Sequence, residues 1–309
     1  MSLAREGWFD FVLLSVWFWN EPAPAFAELV LPLLRAHSPA GQAPYVGLLV
    51  DDAHALRAER LARFETDVTA KRTYEAQAAS LGPRLRKLYS SADVVLHVSA
   101  ADQREEKKAF ATMAQHLRWR LLRTPLRAMR ARGSTNAGPA SSDLVAKRGR
   151  RRAPASRHIG FLGNGQTATN HQGVQWFLKH CWPQLRRAQP ALRLRIIGRS
   201  PGAISNVSGV ECDRRSGAPR CGWAWGTQYA GREQANGIDE LGYLPSRAML
   251  SEVLMWRAMV APIRATTGIN TKLLVALELG IPLVVTTAAA IPLGLDLVAN
   301  ASAMAPHAR

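Results

Sequence analysis

Short apolar runs alternate with longer amphipathic stretches along most of the chain. A continuous apolar run bounded by glycine, proline or aspartate, such as 45–50, is typical of a strand buried on both faces. Stretches in which apolar residues follow a helical period favour helices. We predict strands at 9–16, 45–50, 94–98, 159–162, 192–197, 241–244, 259–263 and 282–286, and helices at 25–36, 53–91, 173–187, 247–256 and 270–279. This alternation predicts an α/β fold with parallel sheets.

Two local signals refine the pattern in the first half. We expect the amphipathic stretch 53–91 to be broken at Gly82-Pro83, because proline lacks the amide hydrogen that a helix interior uses. Ser99 follows a predicted strand and precedes a predicted helix, so we expect its side chain to cap that helix.

The composition divides the chain into two Rossmann-like parallel-sheet domains, which we place at 1–126 and 158–309. Residues 127–157 are dominated by Gly, Ser, Ala, Pro and Arg without a hydrophobic period, which predicts a flexible basic linker. Residues 217–237, rich in Gly, Arg, Trp and Gln, are predicted to be a loop insertion in the second domain.

The chain is strongly basic: its 309 residues carry a formal net charge of +17. A content of 47% hydrophobic and 20% charged residues excludes general disorder. Twelve basic residues and one acid, Asp143, lie between 115 and 157, so 11 of the 17 net charges are there. The cluster 147–152 leaves three interpretations open, namely a nucleic-acid-binding segment, a localisation signal and a solvated linker. We expect no nucleic-acid partner, because the cluster has no interleaved aromatic residues.

The cysteines and the N-terminal sequence bear on the compartment. Cys181, Cys212 and Cys221 are too few and too irregularly spaced for a disulfide framework or a metal site, which favours a cytoplasmic protein. The apolar run 8–19 contains Asp10 and is shorter than the ~20 residues of a membrane span. It is typical of a buried strand, while a secretory signal and an endomembrane association stay open. We expect any membrane contact to be peripheral.

A first candidate for chemistry is the glycine turn 160–165 after a predicted strand. Glycines there let a phosphate approach the backbone, and the next helix offers unpaired N–H groups. Gly163 to Ala168 also fits the dinucleotide pattern G-x-G-x-x-A. Against that pattern, the polar residues 167–171 predict a helix that starts only near Val174, and Gly198-Arg199 stand where an acid would bind the ribose. A plain tight turn is the third interpretation.

A second candidate is the segment 266–272, between a predicted strand and a predicted helix. A glycine turn that opens a helix is suited to a diphosphate, and Lys272 one turn later supplies a compact charge. Arg264 adds a second cation. A solvated lysine with a capping threonine is the alternative. Both glycine turns follow strands of one predicted sheet, at the edge where open α/β sheets bind ligands.

A series of short motifs runs through the second half of the chain, at 159–163, Asn170, 176–177, 182–183, 196–198, 241–244, 261–262, 267–272 and 279–286. Taken together and in this order, they resemble the nucleotide-sugar-binding domain of group 1 glycosyltransferases, a retaining family with the GT-B fold. Weaker similarity to the family's N-terminal domain lies at 50–54, Arg57 and 88–102.

The resemblance implies a transferase that moves a sugar from a nucleotide-sugar donor to an acceptor hydroxyl, without a metal or cofactor. It places Gly163 and Asn164 close to the donor phosphates and makes Lys272 the diphosphate cation. Backbone N–H groups would come from Gly268, Ile269 and Asn270. These groups suit the charge that develops on a departing diphosphate. The donor is the expected partner, and the resemblance does not identify the acceptor.

The sequence also departs from the family. Thr267 and Val275 stand where members commonly have two glutamates, and Glu278 falls where a small residue is usual. The family's first strand has no counterpart and the similarity ends near Gly294, so we expect an incomplete N-terminal domain in a shortened relative, a fragment or an imperfect gene model. Because both glutamates are missing, impaired activity stays open. In the first half, His54 is a candidate acceptor-side base, because a neutral imidazole can accept a hydroxyl proton. A capping or surface histidine is the alternative. An NAD(P)-binding protein is the remaining class.

Overall fold

The computed structural model describes residues 9–18, 23–38, 43–110, 114–118, 156–198 and 237–294. Most of the predicted basic linker and all but the last residue of the predicted insertion lie outside these residues, as do Cys212 and Cys221. The chain forms two compact units. Unit 1 comprises residues 1–122, 265–269 and 287–309, and unit 2 comprises residues 123–264 and 270–286.

Unit 1 contains a parallel sheet with the strand order β1-β2-β3-β4 among its described residues. Apolar side chains of β1, β2, α1 and α3 share one buried cluster, which includes Leu14, Leu31, Leu48 and Leu85. The strands are β1 (Phe11–Ser15), β2 (Tyr45–Val50), β3 (Val94–His97) and β4 (Gln115–Arg118), and the helices are α1 (Phe26–His37), α2 (His54–Phe64), α3 (Val68–Ser90) and α4 (Ala100–Ala109).

Unit 2 contains a parallel sheet with the strand order β7-β6-β5-β8-β9. Its core includes Trp256, Met259 and Leu279. The strands are β5 (His158–Leu162), β6 (Arg193–Ile197), β7 (Ile238–Gly242), β8 (Ala258–Ala261) and β9 (Leu283–Val285); the helices are α5 (Ala168–His180), α6 (Trp182–Ala188), α7 (Ser246–Leu254) and α8 (Thr271–Glu278). After β9, α9 (Thr287–Ala290) and a 3₁₀ turn (Ile291–Leu293) belong to unit 1. The prediction of two parallel α/β sheets is confirmed.

Two details of unit 1 differ from the prediction. The break in the long amphipathic stretch falls at 65–67 instead of Gly82-Pro83, because the Asp67 side chain accepts the Ala70 N–H at 2.7 Å and starts a new helix. That helix, α3, continues through Pro83. Strand β4 was not predicted: its sequence is polar, and its parallel pairing with β3 defines it. Ser99 caps α4 as predicted, accepting the Asp102 N–H at 3.3 Å.

A chain of buried polar side chains runs through unit 1 from Tyr89 to His116. The Tyr89 hydroxyl donates to Glu106 Oε2 at 2.9 Å, and His97 Nδ1 lies 3.5 Å from the same oxygen. On its other side, His97 Nε2 is 2.9 Å from His116 Nδ1. Burial raises the pKa of Glu106 to about 8, and burial with the neighbouring His116 lowers the pKa of His97 to about 3. The cluster therefore favours a protonated Glu106 beside a neutral His97 at neutral pH.

The pH dependence of stability tests this arrangement. Between pH 4.5 and about 8 the folded chain keeps a proton on Glu106 that the unfolded chain loses, so the free energy of unfolding falls as pH rises. Below pH 6.5 the buried His97 makes the free energy of unfolding rise with pH instead. The effect of Glu106 is therefore best measured between pH 6.5 and 8. We expect Glu106→Gln to flatten the dependence in that window, measured by urea unfolding. Glu105→Gln, at an exposed position of α4, should keep the wild-type slope; equal slopes in all three proteins would contradict the assignment.

Candidate functional site

The glycine turn after β5 is packed tightly against the end of β6. The Gly163 N–H donates to the Ile197 carbonyl at 2.9 Å. A Cβ atom at Gly198 would lie 1.8 Å from the Gly163 carbonyl oxygen, so only glycine allows this approach. A Cβ atom at Gly163 would in turn lie 2.9 Å from the Asn170 amide nitrogen. The absence of a side chain at Gly163 thus leaves room for Asn170 beside the turn.

Asn164 organises the turn that leads into α5. Its side-chain oxygen accepts the Gln166 N–H at 3.0 Å, and its carbonyl accepts the Thr167 N–H at 3.2 Å. The same carbonyl accepts a bond from Asn170 Nδ2 at 2.9 Å. These bonds explain why α5 begins at Ala168, although a start near Val174 was expected. That expectation was wrong, and with it one of the two sequence arguments against a dinucleotide pattern.

Lys272 lies in the first turn of α8, and its ammonium group points to Asn170. Lys272 Nζ donates to Asn170 Oδ1 at 2.7 Å and lies 5.3 Å from the centre of the Phe161 ring. Burial lowers the pKa of Lys272 to about 8. The side chain is therefore mostly charged at pH 7. Three residues, Lys272, Asn170 and Asn164, form a continuous bond chain from α8 to the glycine turn.

The other predicted residues of unit 2 have local partners. The Arg264 guanidinium lies 5.3 Å from the centre of the Trp176 ring, which is a cation–π distance. The Asn270 carbonyl accepts the Leu273 N–H at 2.9 Å, while the Asn270 side chain makes no capping bond to α8. Val275, at a family glutamate position, packs against the hydrophobic core of unit 2.

Gly268 and Ile269 belong to unit 1, where the Gly268 backbone has a left-handed φ of 64°. The Gly268 N–H donates to the buried Asp102 carboxylate, so this predicted phosphate donor is bonded to an internal anion. Arg60 donates to the Thr266 carbonyl and lies 3.9 Å from Asp102 Oδ1. Burial raises the pKa of Asp102. No sequence pattern indicated this bond, because Asp102 belongs only to the weaker first-half similarity.

His54 is the first residue of α2 and is 3% exposed. Its Nδ1 lies 2.9 Å from Arg57 Nη2, and because arginine only donates, Nδ1 is the acceptor. Trp17 and Phe18 contact the ring edge-on, at centroid distances of 5.3 and 5.2 Å. Burial and the nearby Arg57 charge lower the pKa of His54 to about 3. The role of His54 as an acceptor-side base stays a prediction, and it requires Arg57 to leave Nδ1.

Asn170 is the residue of the site for which no sequence pattern indicated a role. It appeared there only as one position of the family similarity. A signal was nonetheless present, since a polar first helical turn directly after a glycine turn indicates side chains that face the turn.

The arrangement in unit 2 is chemically suited to an anion. A partly buried ammonium, a glycine turn and the N-terminal end of α8 all favour negative charge. Among the described residues, no group of three His, Cys, Asp or Glu side chains could hold a metal ion. In that same part of the chain, no helix is long and apolar enough to cross a membrane.

A parallel sheet, a glycine turn and a lysine beside it are typical of α/β domains that bind phosphates at their strand ends. Residues 156–307 match the family described as Glycosyl transferases group 1. The family model therefore covers just under half of the chain. The family resemblance found in the sequence is confirmed.

Two of the solved structures that are similar to the chain have low sequence identity to it. Anabaena Alr3699/HepE in complex with UDP and glucose has 12% identity and a TM-score of 0.49, over 93% of this chain and 61% of that one. The UDP-forming trehalose-phosphate synthase of Burkholderia xenovorans has 14% identity and a TM-score of 0.49, over 90% and 59%. The chain thus spans about three fifths of the length of these proteins. No curated protein sequence matches it.

Proposed function

We propose that this protein is a glycosyltransferase that moves a sugar from a nucleotide-diphosphate-sugar donor to an acceptor hydroxyl group. The bond chain Lys272–Asn170–Asn164 carries the proposal, because it holds a cation beside a glycine turn inside the segment that matches the family. The donor diphosphate would lie against Lys272. A fixed cation there stabilises the negative charge that grows on the diphosphate as the sugar leaves.

The proposal includes a reaction without a bound metal or cofactor. Lys272 and the N-terminal end of α8 supply positive charge of the kind that other transfer reactions take from a divalent cation. Retention of configuration at the sugar rests on the family resemblance alone. The acceptor site would belong to unit 1, with His54 as the candidate base. A cytoplasmic location and a peripheral membrane contact at most are also part of the proposal.

The other two classes gain no support from the described residues. The basic cluster 147–152, on which nucleic-acid binding depends, lies outside them. For NAD(P), Gly198 follows β6 where the ribose-binding acid is expected, and it packs against Gly163.

Ligand-dependent thermal stability tests the proposed function. A ligand that binds only the folded chain raises the free energy of unfolding by about 2.7 kcal/mol at a hundred times its Kd. We expect UDP or GDP to raise the Tm by a few degrees in the presence of EDTA, and NAD(P) to leave it unchanged. Absence of stabilisation by either diphosphate would refute the function, and stabilisation that EDTA abolishes would refute the metal-independent part.

A further inference from the structure

The Asn170 side chain is buried, and both ends of its amide are bonded. It is 7% exposed and lies in the first turn of α5. Its orientation follows from its partners, because an ammonium group only donates and a backbone carbonyl only accepts. The amide oxygen must therefore face Lys272 Nζ, and the amide nitrogen must face the Asn164 carbonyl.

We propose that Asn170 is a positioning residue that holds the Lys272 ammonium at the glycine turn without neutralising its charge. Lys272 and Asn164 are far apart in sequence, and Asn170 is bonded to both. A lysine side chain has four flexible carbon atoms, so an unrestrained ammonium would sample many positions. The amide removes that freedom before a ligand arrives, which lowers the entropic cost of binding. The part of this inference that names a diphosphate as the ligand rests on the proposed function.

An amide suits this task better than a carboxylate of the same shape. An aspartate would attract the ammonium more strongly, but it would pair its charge and repel an incoming diphosphate. It would also place an acceptor against the Asn164 carbonyl, which is itself an acceptor. Leucine has a similar volume but makes neither bond. The two substitutions Asn170→Asp and Asn170→Leu are therefore expected to shift the pKa of Lys272 in opposite directions.

The titration of the Lys272 amine tests directly whether Asn170 holds the ammonium group. Trace labelling with acetic anhydride at several pH values, followed by peptide mass spectrometry, gives the midpoint for each lysine in the full chain. We expect a wild-type midpoint near 8. It should rise by about 1–3 pH units in Asn170→Asp, because an opposite charge favours the ammonium form. It should fall in Asn170→Leu, which removes the acceptor.

Binding of inorganic pyrophosphate and of UDP, measured by calorimetry, gives the second readout. We expect Asn170→Leu to weaken both by about tenfold, the effect of one lost bond to a charged group. Asn170→Asp should weaken them further although its ammonium is fully charged. Gln175→Leu is the matched control, because this amide lies on α5 and contacts His171 instead of the cation; it should bind like the wild type.

The outcomes distinguish a failure of the positioning role of Asn170 from a failure of the proposed function. An unchanged Lys272 midpoint in both variants, with native circular dichroism, would overturn the inference whatever the protein binds. Wild-type affinity for pyrophosphate in Asn170→Leu would overturn it as well. If the wild type bound neither UDP nor pyrophosphate, the proposed function would fail, and the labelling result would still decide whether Asn170 holds the ammonium.

Discussion

Replacing Lys272 with methionine is expected to weaken the binding of UDP or GDP by about thirty- to a hundredfold. Methionine keeps much of the apolar length of the lysine side chain and removes the ammonium group, which lies 5.3 Å from the centre of the Phe161 ring. Bonds between charged groups contribute about 2–3 kcal/mol, and each 1.4 kcal/mol is a factor of ten in affinity. Isothermal calorimetry at pH 7 measures the change.

The pH dependence makes this prediction specific for the buried amine. Because burial lowers the pKa of Lys272 to about 8, the free site loses its positive charge as pH rises through that value. Wild-type affinity should therefore fall above pH 8, whereas that of Lys272→Met should change little. Lys179→Met, at an exposed position of α5, is the control and should bind normally. If Lys272→Met bound the diphosphates with full affinity, Lys272 would not be the cation that binds them.

The second large effect is expected from Gly160→Ala in β5, which should destabilise unit 2 by about 3 kcal/mol. An added Cβ atom would lie 2.2 Å from the Trp256 indole, which is fully buried. Neither the ring nor the strand can move without disturbing the core, so overpacking of this kind is costly. The measurement is urea unfolding followed by tryptophan fluorescence.

Two variants separate the steric effect from a general effect of alanine. Gly82→Ala, in α3, has no atom within 4 Å of the new methyl group and should be neutral or stabilising by up to about 1 kcal/mol. In the Gly160→Ala background, Trp256→Leu makes room for the added methyl group. Trp256→Leu should therefore lower the free energy of unfolding less in that background than in the wild type. Additive effects of the two substitutions would contradict a direct clash.

A comparison of Gly163, Lys272 and Gly268 shows how much of the candidate site could be predicted from the sequence. Gly163 and Lys272 were predicted because glycine turns and an early helical lysine are local patterns; Lys272 is part of the bond chain of unit 2, and Gly163 lies beside Asn170 of that chain. Gly268 was identified by the same kind of pattern, but its N–H is bonded to Asp102. No local pattern contains that bond, because its two residues are 166 positions apart.

The sequence by itself determined the alternation of strands and helices, since burial of apolar residues on one face or on two leaves a period that can be read locally. It also determined the glycine turns and the match of residues 156–307 to the group 1 glycosyltransferase family. The tertiary structure decided that β4 pairs with β3, that α3 runs through Pro83, and that Asn170 joins Lys272 to Asn164. These features depend on which distant groups meet in the folded chain, and only there do polar side chains find the partners that their burial requires.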